Sequence, residues 1–183
     1  PEGMTVNPTT GEITWTPGTA KVLGNTVIER IANSSERDTF TFGGVKGDRI
    51  YFDSLIGSNS QKFELFTPSG NKLIDNNTNY QGAVILTETG NYSLVVSGTT
   101  GEYGFSLIDF NAAPVANFEQ NITGVLTPGS EDDAYRFNGN AGQRLYLEAL
   151  SSNTNLDWVI YDANNRVIPP ITAGNAWGDM EVE

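Results

Sequence analysis

The sequence predicts an all-β fold, a sandwich repeated in tandem, and three observations lead there. Short runs of alternating apolar and polar residues recur between clusters of Gly, Pro, Asn and Asp, the pattern of half-buried strands joined by turns. No stretch sustains the 3.6-residue apolar period of a helix. A 21-residue block also repeats without gaps at a constant offset of 95 residues, Ser35 falling on Ser130.

Taken in order, the first element is "PEGMTVNPTTGEITWTPG", residues 1–18. It reads as two short extended segments around a turn at Asn7–Gly11, a hairpin too small to bury a core of its own. Eight strands follow, at Asn25–Ile31, Asp38–Phe42, Arg49–Leu55, Phe63–Thr67, Lys72–Asp75, Gly82–Thr87, Asn91–Ser97 and Tyr103–Phe110. Between them, Pro68-Ser69-Gly70-Asn71 places Pro and Gly where a tight turn needs a fixed and then a positive φ. Glu88–Asn91 and Thr99–Glu102 play the same part. So many short strands in about 90 residues must fold over on themselves to bury their apolar faces, which makes a sandwich.

The repeat pairs "SERDTFTFGGVKGDRIYFDSL" from Ser35 with "SEDDAYRFNGNAGQRLYLEAL" from Ser130, nine of the 21 positions being identical. At the same offset "FELF" from Phe63 falls on "WVIY" from Trp158. This is a duplication, and it separates core from surface. Ile50, Phe52 and Ser54 alternate with Tyr51, Asp53 and Leu55, and their counterparts are Leu145, Leu147 and Ala149 against Tyr146, Glu148 and Leu150. The first set stays small or apolar in both copies and is assigned to the core. Phe40, Phe42, Phe63, Leu65, Leu94, Val96, Phe105 and Leu107 join it, with Phe137 and Trp158 as the buried counterparts of Phe42 and Phe63. Residues 111–120, with Pro114 and two alanines, read as the linker. By the offset, Glu183 corresponds to position 88, so the second copy is expected to be incomplete, and to be completed by neighbouring molecules, partly disordered, or supported by the first copy.

The repeated motifs resemble the bacterial pre-peptidase C-terminal (PPC) domain. An acidic residue precedes an aromatic pair ("RDTFTF", "DDAYRF"), a glycine turn follows ("VKGDRIYF", "NAGQRLYL"), and the first copy ends in "GNYSLVVSGTTGEYGFSL". The resemblance implies tandem jelly-roll-like β-sandwiches, the second truncated, in the company of secreted proteases and other large extracellular proteins. "P-x-GMTVNPTTGEITWTP" resembles the last hairpin of Ig-like, cadherin-related domains of bacterial surface proteins, with Ile13 and Trp15 facing a sandwich not in the sequence. The implied organisation is 1–18 as the end of a preceding Ig-like domain, 19–110 as a PPC-like sandwich, 111–120 as linker and 121–183 as an incomplete second PPC-like repeat.

Composition bounds the function. The chain has 183 residues, 38% hydrophobic and 10% aromatic, enough for a packed core. Asp and Glu number 22 against 10 Lys and Arg, a formal charge of −12. That balance excludes a nucleic-acid partner, which needs a basic footprint, and suits a secreted protein. Cysteine and histidine are absent, so disulfides, thiolate nucleophiles, the common triads and the usual zinc sites are excluded. No apolar run is long enough for membrane insertion. Without a leader or initiator Met, the sequence reads as an excised piece of an exported protein.

No catalytic motif is present, and scattered carboxylates on an acidic chain read as solvated surface, so no enzyme is expected. No cofactor is required. Calcium is the one candidate ion, because hard oxygen ligands are abundant. The calcium-binding segment of some PPC domains, of the form Glu-Pro-Asn-Asp, is missing here. Glu36 and Asp38 with Glu131, Asp132 and Asp133 are the remaining candidates. Their place before a strand equally suits a turn in which Ser and Asp bond their own backbone, the weightier reading. "GGVKGD" has "GNAGQ" as its counterpart, which keeps the turn glycines without the acid, so a turn accounts for it. Tyr51 and Tyr146, recurring on the outer face, and Trp177 in a Gly/Asn loop are candidates for surface binding of a protein or polysaccharide. The expected function is a non-catalytic extracellular or cell-surface module working beside neighbouring domains in adhesion, substrate targeting or spacing. The alternative is an accessory domain of a secreted peptidase that aids export, folding or docking.

Overall fold

The computed structural model describes residues 22–56, 61–75, 82–127, 131–148, 150 and 158–168 in full, and 4–6, 13–15, 76–77, 169–171 and 177–181 as backbone. Every regular element among them is a strand. The chain divides into two compact units, Pro1–Tyr135 and Arg136–Glu183.

The first unit begins with β1 (Met4–Val6) and β2 (Ile13–Trp15), an antiparallel pair with Met4 opposite Trp15. The Asn7–Gly11 turn and the side chains of Ile13 and Trp15 lie outside the described residues. Then come β3 (Thr26–Ile31), β4 (Arg37–Gly44), β5 (Arg49–Ile56), β6 (Gln61–Phe66), β7 (Lys72–Asn77), β8 (Gly82–Ile85), β9 (Gly90–Gly98) and β10 (Gly101–Asp109). They form two four-stranded antiparallel sheets, ordered β3-β10-β5-β8 and β4-β9-β6-β7.

The apolar side of each alternating strand meets the other sheet, which makes the sandwich. Phe52 of β5 lies edge-on to Phe63 of β6, with centroids 4.9 Å apart, and Phe105 of β10 packs on both at 5.9 and 5.7 Å. Phe42, Ile50, Leu65, Leu94, Val96, Tyr103 and Leu107 complete a continuous buried core. Burying one such side chain is worth about 1.5–3 kcal/mol. A register shift at Gly104/Phe105 lets five successive residues, Tyr103 to Leu107, be buried. Gly44 sits where Leu86 and the Tyr92 ring leave no room for a Cβ.

Four core assignments need correction within this unit. Phe40 is only half-buried although packed against the core. On β5, Ser54 is half-buried, while the expected outer residues Asp53 and Leu55 are buried. The reason is non-local: the outer face of β5 is covered by the chain that follows β10. Asn111 Nδ2 donates to Asp48 Oδ1 at 3.1 Å, Ala113 is buried, and the Asp132 N–H donates to Asp53 Oδ2 at 2.9 Å. The first unit therefore runs on through residues 111–120, the segment read as linker.

The second unit contains β11 (Arg144–Glu148), β12 (Trp158–Tyr161), β13 (Val167–Ile171) and β14 (Trp177–Glu181). Their first residues for β11, β13 and β14 are those of β5, β7 and β8 moved on by the 95-residue offset. Pairing follows too: β11 pairs β14 as β5 pairs β8, and β12 pairs β13 as β6 pairs β7. Phe63 faces Asn76 and Phe66 faces Lys72, and at the same offset Trp158 faces Ile171 and Tyr161 faces Val167. The turn between these strands is the same structure twice. Thr67 N–H donates to Asn71 O and Asn71 N–H to Thr67 Oγ1; Asp162 N–H donates to Arg166 O and Arg166 N–H to Asp162 Oδ1. Gly70 at φ 87° is matched by Asn165 at φ 60°, both in the left-handed region that Gly and Asn tolerate best.

Burial does not follow. Phe63 is 0% exposed and its counterpart Trp158 is 36% exposed. Phe137, Leu145 and Leu147 are half-buried, where Phe42, Ile50 and Phe52 are buried. The expectation that Phe137 and Trp158 are buried is therefore corrected. Both sheets of this unit have two strands among the described residues.

Candidate functional site

Of the acidic candidates, Glu36 and Glu131 bond backbone close by in the chain. Glu36 Oε2 accepts the N–H of Ala32 at 2.6 Å and of Asn33 at 3.3 Å, while Asn33 Oδ1 accepts from Ser35 N–H and Oγ. At the 95-residue offset, Glu131 Oε2 accepts the N–H of Thr127 at 3.0 Å. Each carboxylate thus bonds a backbone donor four residues earlier, a short-range side-chain-to-backbone bond. The glycine turns repeat in the same way. Asp48 Oδ2 accepts from Val45 N–H at 2.8 Å, and Gln143 Oε1 accepts from Asn140 N–H at 3.0 Å, with Gly47 at φ 94° and Gly142 at φ 78°. An amide serves where an acid stood, because the turn asks only for an acceptor.

Asp38 lies on β4, half-buried, and Oδ2 accepts from the Tyr103 hydroxyl at 2.6 Å. Burial pushes the Tyr103 hydroxyl far above its usual range, and the hydrogen bond to Asp38 with its negative charge adds to this. Tyr103 is therefore a neutral donor at every working pH. Asp132 is half-buried and hydrogen-bonded to Tyr51. Burial raises the Asp132 carboxyl above its usual value; the Tyr51 hydroxyl opposes this and the Asp133 charge adds to it. Asp133 is exposed, beside Gly124.

These five carboxylates do not converge. No group of three or more Asp or Glu is placed to hold a metal ion among the described residues. Tyr51, expected as an exposed ring, is half-buried: it stacks on Phe110 at 6.0 Å, and the Arg49 guanidinium lies over that same Phe110 ring at 5.2 Å. Tyr146 is exposed, as its outer-face position predicts. Trp177 belongs to β14 rather than to a loop, and its side chain lies outside the described residues.

Two features were not legible beforehand. Asp53 is fully buried under Asp132 although its strand position is outward. The other is an ion quartet on the outer face of β6 and β7. Lys62 and Lys72 each bridge Glu64 and Asp75, at 2.5–3.0 Å. Hydrogen bonds from Lys72 and Lys62 hold Glu64 below the usual carboxylate range, and those from Lys62 and Lys72 do so for Asp75. The quartet has no sequence signal beyond strand spacing, since the cross-strand register of β6 and β7 creates it.

No family model matches the chain, and no curated protein matches it. Solved structures with a similar fold over part of the chain include PliG of Aeromonas hydrophila, a periplasmic inhibitor of g-type lysozyme. It is 14% identical over 45% of this chain and 84% of its own, with a TM-score of 0.38. A PliG mutant from Escherichia coli is 15% identical over 45% and 86%, with a TM-score of 0.34. PliG of Salmonella Typhimurium is 17% identical over 45% and 87%, also at 0.34. At these identities and scores the likeness assigns no function to this chain.

Proposed function

We propose that the chain is a non-catalytic β-sandwich module of a bacterial extracellular or surface protein, built of PPC-like repeats that space or tether neighbouring domains. One observation carries the reading: Glu36 and Glu131 bond backbone N–H groups, Asp38 bonds Tyr103 and Asp132 bonds Tyr51, and no three of the candidate carboxylates are grouped to hold a metal ion among the described residues. Acid–base catalysis on a chain without His or Cys needs two carboxylates facing one reacting bond. Glu36 and Glu131 are held by nearby backbone N–H groups and Asp38 by Tyr103. The absence of cysteine and histidine and the charge of −12 fit an exported protein that has no thiol or imidazole chemistry. A protein or polysaccharide is the ligand class, since the acidic surface disfavours phosphate backbones.

The test incubates the purified chain with an insoluble fibrous protein and with cell-wall polysaccharide, measuring sedimentation and soluble product together. No released product is expected, and retention on one matrix identifies the ligand class. Peptides or sugars released by repurified protein overturn the non-catalytic reading.

A further inference from the structure

We propose that Asn138-Gly139 is a self-modification site, where the asparagine amide is lost through a cyclic imide and replaced by aspartyl and isoaspartyl linkages. Asn138 is the only asparagine in the sequence that a glycine follows. Asparagine is among the heat-labile residues, and the step needs nothing beyond the chain and water. The deprotonated Gly139 backbone nitrogen attacks Asn138 Cγ and forms an N–C bond. The side-chain nitrogen takes up a proton and leaves as ammonia, closing a five-membered imide. One water then opens that ring. Addition at Cγ gives an ordinary aspartyl residue. Addition at the main-chain carbonyl carbon breaks the original peptide bond and leaves the backbone running through Cγ, longer by one methylene.

Two conditions govern the rate: the nitrogen must swing toward Cγ, and the asparagine must not be fixed in another arrangement. Glycine meets the first, having no Cβ and wide φ/ψ freedom. Asn138 and Gly139 meet the second, both being exposed and outside any strand or turn. The turn begins only at Asn140, whose N–H donates to Gln143 Oε1 at 3.0 Å and whose carbonyl accepts from Gln143 N–H at 2.9 Å. Asparagines elsewhere are held. Asn33 Oδ1 accepts from Ser35 N–H at 3.1 Å and from Ser35 Oγ at 2.7 Å, and Ser34 follows it with a Cβ. Asn165 N–H donates to Asp162 O at 3.2 Å, and Arg166 follows it. The first copy has no such site. By the offset, Gly43 stands where the second copy has Asn138, on β4 opposite Asn91, and it is exposed there as well. The reaction therefore marks the second unit alone, placing a new carboxylate just ahead of the turn that enters β11.

The test incubates the full 183-residue chain in mildly alkaline buffer, folded and in guanidinium chloride. Peptide mapping by mass spectrometry reads the replacement of one NH by O at each asparagine. Labelling with a protein isoaspartyl methyltransferase reads the isoaspartyl share. In the folded chain, conversion at Asn138 is expected to be at least about tenfold faster than at Asn33 or Asn140, a barrier difference of about 1.4 kcal/mol. Isoelectric focusing is expected to show one added negative charge, appearing faster as pH rises because the attacking nitrogen must shed its proton. Unfolding is expected to speed Asn33 and leave Asn138 little changed. Asn138→Gly, which installs the residue of the first copy, is expected to abolish the early charge shift. The proposal is overturned if conversion at Asn33 or Asn140 matches that at Asn138. It is equally overturned if Asn138 accelerates on unfolding as steeply as Asn33, since the fold then shields it. A charge shift that persists unchanged in Asn138→Gly overturns it as well.

Discussion

The two copies of the repeat share their turns but not their core. Glu36 and Glu131 each bond the backbone N–H four residues before them, Asp48 and Gln143 close one turn and Thr67 and Asp162 another, each pair with the same backbone donor position. The hairpin registers of β6-β7 and β12-β13 coincide at their ends. Phe52, Phe63 and Phe105, by contrast, are sealed in the first unit, while Leu147 is half-buried and Trp158 exposed in the second. Turn chemistry acts over four residues and repeats whenever the sequence repeats. Burial needs partners far along the chain, and in the first unit those partners are β9 and β10.

The largest expected effect separates the copies. Phe52→Ala opens a cavity between Phe63 and Phe105 and is expected to cost about 3–5 kcal/mol in urea unfolding of the first unit. Leu147→Ala at the equivalent position is expected to cost well under about 1.5 kcal/mol, because its side chain is partly in water already. Similar losses at both sites break the contrast drawn here.

A second pair probes the covered outer face. Asp53→Ala leaves the Asp132 N–H without its acceptor, and an unmet buried donor costs about 1–3 kcal/mol. Its counterpart Glu148 is exposed, and Glu148→Ala is expected within about ±0.5 kcal/mol. If thermal melts of the two variants coincide, the segment after β10 does not protect β5 in solution.

The turns predict equality instead. Asp48→Ala and Gln143→Ala each remove one acceptor from a backbone N–H, for about 0.5–1.5 kcal/mol apiece. Hydrogen exchange at Val45 and Asn140 should speed up by similar factors. A change at one and not the other shows that the turns are held by different forces.

Acid titration gives opposite signs within the first unit. Glu64, held low by Lys72 and Lys62, stabilises above its ordinary value of 4.5, and that contribution is lost as pH falls through its lowered folded value. Asp132, raised chiefly by burial, contributes fully below its ordinary 3.8, and this is lost as pH rises through its raised folded value. Asp132→Asn is therefore expected to help stability at pH 7 relative to pH 3, while Glu64→Gln is expected to hurt more at pH 7 than at pH 3. Variants with flat profiles rule out these linkages.

The smallest effect concerns calcium. With Glu36 and Glu131 both bonded to nearby backbone, millimolar calcium against chelator is expected to move Tm by less than about 1 °C. A rise of several degrees that disappears in Glu36→Gln places an ion at that turn.

The sequence by itself determined every segment that became β3 to β10, and the turns at Gly47, Gly70 and Gly142, because alternation and turn bonding are properties of adjacent residues. It also determined that β11 to β14 echo β5 to β8, since the repeat carries the same local instructions. It placed Asp53 outside and Trp158 inside, and tertiary structure decided otherwise. Asp53 is enclosed because residues beyond β10 fold back over β5 and deliver the Asp132 N–H across 79 positions of chain. Trp158 stays partly in water although its strand, pairing and register are those of Phe63, because a side chain is buried only by what is laid against it. In the first unit that covering is Tyr103 and Phe105 on a strand about 40 residues further along, and no pattern within a single strand encodes its presence.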